Sequence, residues 1–196
     1  MTSAAKNILI SGLPGSGKTT LIKKLADELW EHGPAGFFTE ERRSQGTRKG
    51  FKITSLERKK TGTLAHADIK GPHRVGKYGV DLEEFERFLG TRPLPGPSPR
   101  LVIIDEIGMM ECLSAICRDL IASLLDTSVP VIATIALKAG GFINEVKPGP
   151  GILLYELTER TGMLSCRRLP ASSVPYHLGV DHEKIVCLAQ SQGRLS

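Results

Sequence analysis

The sequence predicts an α/β fold: a largely parallel central sheet with helices on both faces and one β-hairpin excursion. Three observations lead there. Short apolar runs such as NILIS (7–11), LVIID (101–105) and PVIATIA (130–136) alternate with segments of helical period, the pattern of strands joined by crossover helices. The 196 residues suit a single domain spanning 1–196. Apolar content of 40% and charged content of 24% match ordinary globular usage, which argues against a disordered chain.

NILIS is short and apolar, as a buried strand is, and a glycine-rich turn follows it. In KTTLIKKLADELWEHG, Leu21, Ile22, Leu25 and Leu29 share one helical face, and Gly33 stands where a C-terminal cap belongs. GFFTEE (36–41) and GFKITSL (50–56) read as strands flanking RRSQGTRK, a hairpin with a basic tip. TGTLAHAD (61–68) is a short segment without a decisive pattern. Asp81 then caps a helix with Glu84 three residues on, and Leu82, Phe85, Phe88 and Leu89 form its apolar face. GTRPLPGPSPR (90–100) is a loop, rich in Pro and Gly.

LVIID is the next buried strand. In LSAICRDLIASLL (113–125) the expected core face is Leu113, Ile116, Leu120 and Leu124. PVIATIA and ILLYEL (152–157) are further buried strands, with a short helix in GFINEVK (141–147) between them. Residues 166–183 show little period, and EKIVCLAQS (183–191) reads as a closing helix. There are no internal repeats.

No apolar run approaches the ~18 residues of a membrane span, and the N-terminus lacks the apolar core of a secretory signal. The expectation is a cytoplasmic protein whose four cysteines are reduced and mostly buried. Net charge is +5, but residues 42–77 hold eleven Lys and Arg against two acids, Glu57 and Asp68. That stretch is either a solvated basic face or a surface that meets phosphate.

The sharpest signal is GLPGSGKTT. Gly12, Leu13, Pro14, Gly15, Ser16, Gly17, Lys18 and Thr19 spell G-x-x-x-x-G-K-T between an expected strand and an expected helix. Glycines let successive backbone N–H groups turn towards phosphate oxygens, and the helix N-terminus favours an anion. Lys18 can then reach the β- and γ-phosphates, and Thr19 can place its hydroxyl on Mg²⁺. Such a loop supplies only part of a magnesium site; an acid at the tip of a neighbouring strand completes it. Asp105 stands there, so Thr19 and Asp105 are the expected metal residues. Glu106 beside it is positioned to orient an attacking water. Glu111, at the start of the next helix, is explained equally well by the helix dipole. Thr134 is either a γ-phosphate contact or a buried β-branched residue. Cations for the transition-state charge could come from Arg42, Arg43, Arg48, Lys49 or Lys77, and the sequence does not choose among them.

GLPGSGKTTLIKKL, GFFTEERR with GFKITSL, RVGKYGVDLEEFE, VIIDEIGMME and VIATIALK together resemble the THEP-type nucleoside-triphosphatases over roughly residues 6–160. The resemblance implies a RecA-like P-loop fold and slow, Mg²⁺-dependent hydrolysis of several nucleoside triphosphates. It also implies nucleotide binding by Gly12 to Thr19 with Asp105 and Glu106; the catalytic candidates remain Lys18 and Glu106, from the motif itself. Met109 stands where this family often has Lys, and His66 where Arg is usual.

The alternative enzyme reading is a kinase that moves the γ-phosphate to a nucleotide or a polynucleotide 5′-hydroxyl at the same site. A nucleotide-dependent switch is a third reading, since Asp105 to Gly108 spells D-x-x-G, but the guanine-reading N-K-x-D is missing from the sequence. A nucleic-acid partner is weakly supported, because residues 42–77 carry few aromatics for base stacking.

Overall fold

The computed structural model describes residues 6–57, 59–90, 100–160, 163–168 and 187, with only the backbone of 159, 160 and 163–168. In chain order the elements begin with β1 (Asn7–Gly12), α1 (Lys18–Glu28), β2 (Pro34–Ser44), β3 (Thr47–Ser55), β4 (Thr61–His66), β5 (Arg74–Val75), β6 (Tyr78–Val80) and α2 (Leu82–Gly90). They continue with β7 (Leu101–Ile107), α3 (Ala115–Asp126), β8 (Val131–Ala136), α4 (Phe142–Val146), β9 (Ile152–Arg160) and β10 (Met163–Arg168).

The ten strands among the described residues join one sheet, in the order β10-β9-β1-β8-β7-β2-β3-β4-β6-β5. The five neighbours β9, β1, β8, β7 and β2 pair in parallel, as the sequence predicts for its centre. The flanking pairs are antiparallel. The expected hairpin is β2–β3: its base is built into the sheet, and it extends past Phe38, the last β2 residue paired with β7. It is the first step of an antiparallel continuation, in which TGTLAHAD becomes β4. The connections in this half are too short for the crossover that parallel pairing needs.

Period-two alternation assigns each strand's side chains to two cores. Ile8 and Ile10 of β1 and Leu101 and Ile103 of β7 pack with Leu21, Ile22, Leu25 and Leu29 around α1. Leu9, Val102 and Ile104 face the opposite way, into a core with Phe85, Phe88 and Leu89 of α2, Cys117 and Ile121 of α3, and Ile143 and Val146 of α4. The helices thus lie on both faces, as predicted.

One helix face departs from its prediction. The buried residues of α3 are Cys117, Ile121 and Leu124, while Ile116 is 52% exposed and Leu113 is also exposed. The helix starts only at Ala115. A 3-10 turn over Glu111–Leu113 precedes it, and Ser114 accepts a bond from the Cys117 amide as N-cap. That offset rotates the buried stripe by about one residue. Gly33 closes a 3-10 turn after α1 in the left-handed conformation expected of it. The loop expected at 91–99 and the closing helix over 183–191 lie outside the described residues, apart from Cys187, which is helical. Among the described residues no helix is long and apolar enough to cross a membrane.

Gly36 carries a constraint that joins β2 to β7. Its φ is +138°, and a Cβ there would stand 1.8 Å from the Ile103 carbonyl oxygen across the ladder. Gly36→Ala is expected to lower stability by about 3 kcal/mol, through backbone strain and forced separation of the strands. A urea midpoint that falls at unchanged m-value would show it; an unshifted midpoint would contradict it.

Candidate active site

The parallel strands end at one carboxyl edge, where open α/β sheets place their ligand crevices. The Gly12–Thr19 loop leaves the end of β1. β8 lies between β1 and β7, with Ile10 opposite Thr134 and Ile104 opposite Ala133. The acids at the end of β7 therefore face the loop across one intervening strand. Together they border a cleft of about 870 Å³ lined by the loop, Lys23, Glu40, Glu41, Arg48, Asp105, Glu106, Met109 and Glu111.

In the loop, Gly17 is left-handed (φ 88°) and forms the N-cap of α1, which opens the first-turn amides towards the cleft. Leu13, Pro14 and Gly15 are exposed, and Ser16 is buried with an unpartnered hydroxyl. Lys18 is buried, and its ammonium donates to the carbonyls of Gly12 (3.1 Å) and Leu13 (3.2 Å). Those are bonds that a phosphate oxygen can replace.

Asp105 is 1% exposed. Its Oδ1 accepts a 2.5 Å bond from the Thr134 hydroxyl, while its buried Oδ2 has no hydrogen-bond partner among the described residues. Burial pushes the Asp105 carboxyl above its ordinary range, opposed by the Thr134 and Thr19 hydroxyls and by Lys18 and Lys23. Thr134, fully buried, holds Asp105 and does not line the cleft. Burial also pushes Glu106 up; Lys18 pulls it down and Asp105 adds to the rise.

Glu111 is not the exposed first-turn acid that the helix dipole would explain. It is 5% exposed, and its Oε2 lies 2.7 Å from where a Gly108 Cβ would be, so a side chain at 108 would displace that carboxyl. Burial first, then Glu106 and Asp105, push its carboxyl up to about 8. It is therefore largely protonated at neutral pH and able to donate an O–H.

The cations separate by position. Arg48 lines this cleft, paired with Glu41, whereas Arg42, Arg43 and Lys49 line a second hollow of about 480 Å³ with His66. Lys77 lies over the Tyr78 ring at 5.4 Å and borders neither. Lys23 and Lys138, which sequence reasoning passed over, also border the cleft. Lys23 follows Thr19 by one helical turn, a spacing that could have found it. It bonds Glu40 at 2.6 Å, and Lys52 pairs with the same carboxylate at 2.8 Å. Burial raises Glu40, but these two ammonium groups more than offset it and hold the carboxyl below its ordinary range. Of the cysteines whose side chains are described, Cys117 is buried, Cys112 half-buried and Cys187 exposed, and all three are free. Burial pushes the Cys112 thiol up to about 12, which leaves it unreactive.

The donor set fits a Mg²⁺ ion, which takes one or two carboxylates and keeps water and phosphate for its remaining positions; Asp105 and the Thr19 hydroxyl beside its carboxyl would be the residues to hold it. No three His, Cys, Asp or Glu side chains among the described residues form a metal cage of their own.

A family model described as NTPase matches residues 7–164. The chain is 45% identical over 155 residues to nucleoside-triphosphatase THEP1 of Thermotoga petrophila, covering 78% of this chain and 84% of that one. The crystal structure of THEP1 from Aquifex aeolicus superposes with a TM-score of 0.69 at 37% identity, over 78% of this chain and 90% of the other. The solution structure of a human cancer-related nucleoside triphosphatase gives 0.66 at 33% identity, over 79% and 90%.

Glu111 sets an expected pH dependence. Folded, it keeps its proton up to about pH 8; unfolded, it loses it near 4.5. Between those values the folded state binds more protons, so stability falls as pH rises through that window. In Mg²⁺-free buffer the wild-type Tm should fall from about pH 5 to about pH 8 more steeply than that of Glu111→Gln. Equal slopes would contradict the assignment.

Proposed function

The chain belongs to the nucleoside-triphosphatase family, and from that premise we propose that it hydrolyses nucleoside 5′-triphosphates, ATP and GTP among them, to diphosphate and phosphate with Mg²⁺. One observation carries the reading: Asp105, whose buried Oδ2 has no hydrogen-bond partner among the described residues, borders a cleft that it shares with Glu106 and the phosphate loop.

The loop amides and the start of α1 bind the phosphate tail, and Lys18 exchanges its bonds to the Gly12 and Leu13 carbonyls for phosphate oxygens. Thr19 and Asp105 would hold Mg²⁺, which when bound neutralises charge that develops on the phosphate oxygens. Thr134 fixes the Asp105 carboxylate through its Oδ1, which leaves Oδ2 for the cation. Glu106 orients the attacking water and accepts its proton; burial makes it a stronger base than an exposed glutamate. Broad base use is consistent with the missing guanine-reading N-K-x-D.

Glu106→Gln tests the assignment. Phosphate release from Mg²⁺-ATP and Mg²⁺-GTP should fall by about 10²-fold or more, the scale of a general base. Affinity for a non-hydrolysable ATP analogue should change little. Turnover near the wild-type value would remove the role given to Glu106.

A further inference from the structure

The β2–β3 arm borders two hollows, and the reaction just described uses one of them. Glu41 and Phe51, paired across the arm, border the cleft. The next pair along is Arg42 and Gly50, and Gly50 in turn lies opposite His66 of β4. Arg42 and His66 thus stand two strands apart, roughly 10 Å at ordinary spacing, with a residue that lacks a side chain between them. A Cβ on Gly50 would stand 2.8 Å from His66 Cδ2, so the imidazole leans over that gap. The pairing register then shifts between Arg42 and Arg43, and both arginines border the second hollow, of about 480 Å³, with Lys49, Thr63 and His66.

These groups are donors without an anion. Among the described residues no carboxylate pairs with Arg42 or Lys49. Arg42 Nη1 reaches the Thr63 hydroxyl at 3.4 Å. His66 Nδ1 accepts the Asp68 amide at 3.2 Å, which leaves Nε2 as the N–H donor of the ring. The acid in the lining, Asp81, caps α2 by accepting from the Glu84 amide. A guanidinium, an ammonium, an imidazole N–H and a hydroxyl around one hollow, short of counter-charge, are the groups that bind a phosphate. Its described lining holds no Phe, Tyr or Trp on which a nucleobase would stack.

Glu41 ties this hollow to the cleft. Its Oε2 accepts two bonds from Arg43 of the hollow, at 2.6 and 2.9 Å, and its Oε1 holds Arg48 of the cleft. We propose that the hollow binds a phosphate group, free or carried on a small polar molecule, and that filling it weakens triphosphate binding in the cleft through Glu41. The proposal rests on the nucleotide-site reading above. A phosphate that draws Arg43 away leaves Glu41 to Arg48 alone, and Arg48 is then harder to release to the triphosphate. By linkage, the triphosphate weakens the phosphate by the same factor.

The test saturates the full chain with Mg²⁺ and a non-hydrolysable ATP analogue, so that the cleft is filled. Inorganic phosphate or ribose 5-phosphate is then titrated at constant ionic strength. The backbone amide resonances of Gly50 and His66 should shift and saturate, and the tighter of the two ligands identifies the source of the phosphate. The double variant Arg42→Gln, Lys49→Gln should weaken that binding by about tenfold or more, the scale of a bond to a charged group. Saturating ligand should raise the Kd of the analogue about two- to fivefold more in wild type than in the double variant, the scale of an exposed ion pair. The double variant reports any competition within the cleft itself. Glu41→Gln should abolish that extra rise while the amide shifts remain. Shifts that never saturate, shifts that survive in the double variant, or an equal rise in Kd in both proteins would each overturn the proposal. Failure of the analogue to bind without added phosphate would instead overturn the nucleotide-site reading.

Discussion

The buried hydrogen bond from Thr134 to Asp105 joins the sheet to its chemistry. It spans β8 and β7 at the carboxyl edge and is 2.5 Å long. It satisfies one carboxylate oxygen and leaves the other alone in a buried place. An orphaned carboxylate oxygen is costly, of the order of 1–3 kcal/mol or more. A cation held there would offset that cost. The strand order β1-β8-β7 determines what can arrive, because it sets the orphan across one strand from the phosphate loop.

Around that bond the site is electrostatically poised rather than balanced. Asp105, Glu106 and Glu111 are all pushed towards their neutral forms, burial being the largest cause in each case. The cleft's positive groups are held elsewhere: Lys18 on loop carbonyls, Lys23 on Glu40, and Arg48 on Glu41. A triphosphate with its cation would take up both halves at once, freeing cations for phosphate and giving the acids a counter-charge. The Gly108–Glu111 spacing belongs to the same arrangement, since the Glu111 carboxyl packs where a Gly108 side chain would begin.

Much of this was legible in the sequence because it is local. G-x-x-x-x-G-K-T fixes its own turn, and LVIID announces a buried strand ending in an acid. Ile8 and Leu9, neighbours in the chain, divide between two cores as the two-residue period requires. What was not legible depends on partners distant in sequence. Thr134 could be read as a γ-phosphate contact or as filler, and only the β7–β8 register resolves it into a positioning group. Glu111 looked like an ordinary first-turn acid, because a 3-10 turn and its burial leave no mark in composition. The same turn shifted the core face of α3 from Ile116 to Cys117. The basic tract at 42–77 could not be divided into cleft and surface until strand pairing set Arg48 and Lys49 on different hollows.

The most direct test is the Mg²⁺ dependence of nucleotide affinity in wild type and Asp105→Asn, measured with a non-hydrolysable ATP analogue in excess chelator and in excess Mg²⁺. If the orphaned Asp105 oxygen exists to meet the cation, Mg²⁺ should tighten wild-type binding at least tenfold, about 1.4 kcal/mol. It should tighten the variant little. Equal tightening in both proteins would mean that the metal is held without Asp105, and the account of this site would fail.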